Sequence, residues 1–220
     1  GDRDRFESGA QFEETFNEVG DFAAYANPRY KVATDKNVIA AYDFNEINDH
    51  KVEDIFNDYD ATITNGTIVD DATKQSKVLK LTPESSISLP FDGVGYPYTA
   101  QVDLYLDGTQ SQDAVLFQSD ECKIYLDYDG RGVCFQSGKY VYAFNARIPE
   151  NEWVSIKLTS KSPTHVHASS NITVLTINET EYTPTNITNS RAQSRSTIFG
   201  TETMFSGING SIDNLSITKL

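Results

Sequence analysis

Between Tyr98 and Leu158 the chain repeats with a period of two. Ala100, Val102, Leu104 and Leu106 alternate with Gln101, Asp103 and Tyr105. Successive side chains of an extended strand point to opposite faces, so this spacing predicts a half-buried strand with one face on a core. Asp107-Gly108 is a turn signal. Short apolar runs follow at 114–118, 122–126, 133–136, 140–145 and 153–158, the third reached through Asp127-Tyr128-Asp129-Gly130-Arg131-Gly132. Strands in series, with turn signals every eight to twelve residues or so, specify an antiparallel sandwich. The predicted class is all-β: two antiparallel sheets in a jelly roll, preceded by one N-terminal α-helix.

The flanking chain completes the sandwich. Val38–Asn45 reads as its first strand, with Val38, Ala40, Tyr42 and Phe44 on one face. Residues 46–66 read as an acidic loop ending at Asn65-Gly66, with Ile68 a short continuation. Strands are expected at 78–81 and 87–89, a hairpin at 172–183, a polar loop at 185–195, a short strand at 198–199 and a closing strand at 208–217. The helix is expected at 8–26, where Phe12, Phe16, Val19 and Ala23 fall on one face. Asn27-Pro28 ends it, because the residue before proline avoids helical angles. Residues 1–37 are thus a helical segment and linker, and 38–220 the sandwich. The apolar stripe either packs on the sandwich or belongs to a domain that precedes it. The start at Gly1, without Met, is read as the cut end of a longer chain.

Charge and apolar content exclude some partners. A net charge of −14 over 220 residues disfavours nucleic acid, which needs clustered cations. It disfavours an anionic membrane surface equally, and no apolar run approaches the ~18 residues of a spanning helix. At this length roughly 70% of the unfolded surface can be buried, so folding needs no cross-link. Cys122 and Cys134 nevertheless flank one predicted hairpin and fall opposite each other if its turn centres on Tyr128. Cross-strand Cβ atoms are ~4.5–5.5 Å apart and a disulfide needs ~3.8 Å. The pair is either a disulfide, implying an oxidising compartment, or two buried thiols. Asn65, Asn171, Asn178, Asn186, Asn209 and Asn214 open Asn-X-Ser/Thr triplets, used only in a eukaryotic secretory pathway.

Ala41-Tyr42-Asp43-Phe44, Val78-Leu79-Lys80-Leu81, Asn151-Glu152-Trp153-Val154-Ser155-Ile156 and Gly210-Ser211-Ile212-Asp213-Asn214-Leu215 together resemble the laminin-G-like, concanavalin-A-like jelly rolls. Gln112–Phe117 and Lys123-Ile124-Tyr125-Leu126 resemble, more narrowly, the accessory jelly roll that follows the catalytic barrel in bacterial family 20 glycoside hydrolases, the β-N-acetylhexosaminidases. The resemblance covers roughly residues 38–220. It implies a secreted bacterial protein, an upstream catalytic domain in the same chain whose tail is the 8–26 helix, and a glycan ligand. It also implies a structural Ca²⁺ where the first and last strands meet, held by Asp43 and Asp213 with loop carbonyls near Asn65.

No residue pattern points to catalysis. Glucanases of this fold need carboxylates alternating on one strand, ~5 Å apart, and no such strand occurs. Glu179 and Glu181 flank a turn. His165 and His167 share one side of an extended segment, more simply an exposed loop than a metal site. Sugar binding asks for aromatic platforms beside polar groups. The candidates are Tyr125, Tyr128, Arg131, Tyr140 and Tyr142, against the plainer reading that such tyrosines are cross-strand pairs. Trp153 reads as core. The functional expectation is a non-catalytic, carbohydrate-binding accessory module, and its competitor is a spacer or brace with no ligand.

Overall fold

A computed structural model describes residues 37–56, 58–90, 94, 97–118, 122–127, 132–161, 173–188 and 203–220. The expected helix at 8–26, the strand at 198–199, Tyr128, Arg131, His165, His167 and Asn171 lie outside these residues. The described chain from Ile39 onward belongs to one compact unit, Ile39–Leu220.

Sixteen strands are described: β1 (Val38–Tyr42), β2 (Lys51–Val52), β3 (Ala61–Thr64), β4 (Thr67–Asp71), β5 (Ser76–Leu81), β6 (Ser86–Ser88), β7 (Tyr98–Leu106), β8 (Val115–Gln118), β9 (Cys122–Asp127), β10 (Gly132–Ser137), β11 (Tyr140–Ala143), β12 (Trp153–Ser160), β13 (Thr173–Ile177), β14 (Thr180–Tyr182), β15 (Thr185–Asn186) and β16 (Gly210–Lys219). The large sheet runs β14-β13-β12-β7-β16-β5-β4, with β1 also paired to β16. A five-stranded sheet runs β15-β11-β10-β9-β8, and a small one β2-β3-β6. Every ladder described between these strands is antiparallel. The architecture is the all-β sandwich that the alternation predicts.

One core joins the sheets. β7 and β12 contribute Ala100, Val102, Leu104, Leu106, Val154, Ile156 and Leu158, and the facing sheet contributes Leu116, Phe117, Ile124, Leu126, Val133 and Phe135. Phe117 meets Phe205 edge-on at 5.5 Å between ring centroids. Each fully buried side chain of this size contributes roughly 1.5–3 kcal/mol.

The stretch 46–66 is more structured than its acidity suggests, since it holds β2 and β3. The organiser is Asp54, which is buried. Its carboxylate accepts the backbone N–H groups of Ala41 at 2.9 Å, Tyr59 at 3.1 Å, Phe56 at 3.3 Å and Asp58 at 3.4 Å. A charge placed where several amides converge folds the loop onto β1. Tyr42 ties the same loop down by donating from its hydroxyl to the Tyr59 carbonyl.

Candidate functional site

The residues singled out in the 122–142 region turn mostly inward. Register pairs Cys122 with Ser137 and Cys134 with Tyr125. Cys122 packs in the main core, while Cys134 joins Val115 and Tyr125 in a separate cluster. The cysteines therefore lie on opposite faces of one sheet, and no disulfide joins them. The expected bridge is corrected by register: the ladder closes at Asp127↔Gly132, moving the partner of Cys122 three positions along. An odd shift reverses the facing of every side chain on the strand.

Tyr142 is fully buried, stacked on its cross-strand partner Phe135 at 5.3 Å, and is a core residue rather than a sugar platform. Tyr140 is half-buried against the same core, with the Lys139 ammonium 5.5 Å from its ring. Tyr125 is only 7% exposed, with Lys123 over its ring at 4.8 Å. Tyr125 and Tyr142 are thus buried, and Tyr140 alone of the three is partly exposed.

The mixed aromatic and polar surface lies elsewhere, on the face of the large sheet turned away from the core. On β7, Thr99, Gln101, Asp103 and Tyr105 alternate with the buried residues. Ladder register sets Trp153 of β12 and Ser211 of β16 beside Tyr105, and Ser155 and Asp213 beside Asp103. Trp153 is partly exposed and belongs to neither core cluster, contrary to its reading as core. Its ring lies 5.7 Å from that of Tyr105, tilted by 59°. Its indole N–H donates to Asp71 Oδ1 at 3.3 Å, and the same oxygen accepts the backbone N–H of Lys74 at 2.9 Å.

Lys74 leaves the turn between β4 and β5 and lies across this surface. Its ammonium is 2.5 Å from Asp103 Oδ2, 3.9 Å from Asp213 Oδ2 and 5.0 Å from the Trp153 ring centroid. Asn214 donates its amide to the same Asp103 oxygen at 2.9 Å. Asn214 has φ of 50° and lies where the β16 register slips between Asp213 and Ser216. This bulge inserts one residue into the last strand, and such features re-aim side chains.

Asp103 and Asp213 are directly opposed like charges, an arrangement that disfavours pairing. Asp213 is 3% exposed, and its Oδ1 has no hydrogen-bond partner. Burial pushes the Asp213 carboxyl up to about 6; Lys74 and hydrogen bonds from the Asn214 backbone N–H and the Ser76 side chain oppose the rise, and Asp103 adds to it.

Calcium takes six to eight oxygens, and the expected site names two carboxylates, Asp43 and Asp213. Asp43 accepts from the backbone and side chain of Asn45, and Asp213 faces the Lys74 ammonium. Among the described residues no group of three or more His, Cys, Asp or Glu side chains converges as a metal shell. Four Asn-X-Ser/Thr amides are engaged within the fold: those of Asn65 with Glu84, Asn178 with the Ser155 N–H, Asn209 with Asp107, and Asn214 as above. Glu179 and Glu181 lie exposed at the β13–β14 turn.

Comparison with known proteins identifies the fold. No protein-family model matches the chain, and no curated protein sequence does. Among solved structures it is similar to domain 4 of AbnA, a GH43 extracellular arabinanase from Geobacillus stearothermophilus, solved in complex with arabinotriose. The TM-score is 0.57 at 16% identity, over 83% of this chain and 92% of that one. It is also similar to a Trypanosoma rangeli sialidase bound to 2,3-difluorosialic acid, with TM-score 0.56 and 12% identity over 84% of this chain. The same sialidase bound to the inhibitor DANA gives TM-score 0.56 and 10% identity over 89% of this chain. The chain spans 31% and 35% of these sialidase chains. At such identities the likeness is one of fold. The described residues contain no helix long and apolar enough to cross a membrane.

Proposed function

We propose that the chain is a non-catalytic, carbohydrate-binding accessory module of a secreted bacterial glycoside hydrolase, such as the jelly roll of the family 20 enzymes. The observation that carries this reading is the outward Trp153–Tyr105 pair, bordered by Asp71, Asp103 and Asn214. Aromatic rings give a sugar an apolar contact area, and carboxylates and amides fix its hydroxyls. The fold it shares with domain 4 of the arabinanase supports the same reading. Bound to a glycan, the module would raise the local concentration of a linked catalytic domain on its substrate. The test is a glycan-array screen of the whole chain, with calcium and with chelator. A hit lost in Trp153→Ala, with the melting curve retained, supports the reading; a hit insensitive to Trp153 moves the site elsewhere.

The bracing role keeps one observation in its favour. Next to the aromatic pair the same sheet face carries Thr99, Gln101, Lys157, Thr159 and Thr218 in register, a polar surface with no further aromatic among these five. A blank array at high protein concentration favours that role.

A further inference from the structure

Building on the carbohydrate-binding reading, we propose that this face takes a saccharide bearing an unsubstituted primary amine, whose ammonium occupies the place that Lys74 Nζ holds. Lys74 already puts an ammonium into a cage of two carboxylates and an indole: Asp103 at 2.5 Å, Asp213 at 3.9 Å and the Trp153 ring centroid at 5.0 Å. An ammonium has three donors to place. The Lys74 geometry satisfies Asp103, is too long for a hydrogen bond to Asp213 Oδ2, and leaves Asp213 Oδ1 without a donor. A buried carboxylate oxygen with no donor is costly. The cage around the ammonium is open enough to leave the Lys74 side chain 21% exposed. The resident cation is therefore an imperfect occupant. It is carried on a turn, Asp71–Ser76, from which a long flexible side chain can withdraw into water.

Charge gives the selectivity. Asp103 and Asp213 face the Lys74 ammonium and Asp71 holds the indole N–H, so the local balance is negative when all three are ionised. A uronate or sialate carboxyl is repelled from such a surface, a neutral sugar is accepted on the aromatic pair alone, and an ammonium gains the carboxylates as well. The indole face adds cation–π attraction.

The experiment is calorimetric titration of the full chain at about pH 5.5 and about pH 6.5, because the oxygens beside a sugar amine lower it well below the lysine range and the ammonium must be present. Three probes are compared: a β-1,4-linked glucosamine oligomer with its amines unmodified, the same oligomer N-acetylated, and a uronic acid oligomer. The expected result is that the amine form binds at least ~tenfold more tightly than the acetylated form, the scale of one charge-assisted hydrogen bond. Asp103→Asn, which keeps shape and removes charge, should bring the ratio of the two affinities back to about one, whatever it does to the binding of both forms. Lys74→Ala should tighten the amine form alone, because the competing ammonium is gone. Circular dichroism melts of both variants check that the fold is retained. Equal binding of amine and acetylated forms, a preference for the uronate, or a preference unmoved by Asp103→Asn overturns the amine assignment and leaves the binding module standing. Silence of all three probes also overturns it, and the glycan array then decides separately whether the chain binds sugar at all.

Discussion

Asp213→Asn should stabilise the protein above about pH 6 and make little difference near pH 4. The carboxyl of Asp213 rises from an ordinary value of 3.8 to about 6 in the folded chain, chiefly because it is buried. Between these values the folded state holds a proton that the unfolded state has released, so stability falls as pH rises through the window. Each pK unit is worth about 1.36 kcal/mol, so the ionised carboxylate costs up to about 3 kcal/mol. Asparagine keeps the shape and removes the charge. It forgoes attraction to a lysine 3.9 Å away, but that attraction is already included in the net rise. The expected gain is about 2 kcal/mol near pH 8, shrinking toward zero near pH 4. Urea unfolding of both proteins at several pH values measures it. The difference between the two curves isolates one group from the many other carboxylates. Parallel pH profiles, or a variant less stable than wild type at pH 8, would refute the account of Asp213 as a buried, under-satisfied acid.

Three further outcomes are expected. Asp54→Ala removes the acceptor for four backbone N–H groups and should cost about 3 kcal/mol or more in chemical denaturation, with the loop before β3 the first segment to lose amide protection. Gly210→Ala would place a methyl carbon 2.0 Å from the Tyr105 carbonyl oxygen, so β16 and β7 must part; a loss of about 3 kcal/mol or failure to fold is expected, read from the yield and melting of the variant. Alkylation in denaturant without reductant should label both cysteines, and reductant should leave the melting temperature unchanged, because the thiols lie on opposite faces of their sheet.

The sandwich is legible in the sequence because side-chain alternation is local. Residues 98–106 and 153–160 declare their faces without reference to any partner, and the structure pairs them along their length. The short strands at Lys51–Val52, Ala61–Thr64 and Thr185–Asn186 are not legible. Two to four residues carry too little periodicity, and their strand character comes from neighbours far along the chain. Register is the other quantity that local pattern leaves open. The cysteine pairing depends on which residues close one turn, and three positions decide whether two sulfurs share a face.

The polar surface escapes sequence reading for a related reason. Asp71, Lys74, Asp103, Trp153, Asp213 and Asn214 come from five strands or turns and share no motif. Each alone reads as a solvated charge, a cap or a core aromatic. What could have flagged them is parity. Asp103 and Tyr105 occupy the outward positions of β7, and Trp153 and Ser155 take the same parity on β12, two strands whose inward residues are unambiguous. Any aromatic at an outward position of a central strand is half exposed by construction. It either covers a neighbour or receives a ligand. Trp153 does the first toward Tyr105, and it also meets an ammonium and a carboxylate. That combination is expensive to maintain for stability alone: an opposed Asp pair, a bulge with a left-handed asparagine, and an orphan carboxylate oxygen are each unfavourable. A sheet face optimised only to brace a neighbour has no use for them, whereas Tyr125 and Tyr142 of the facing sheet are buried and do for the core what cross-strand aromatics ordinarily do.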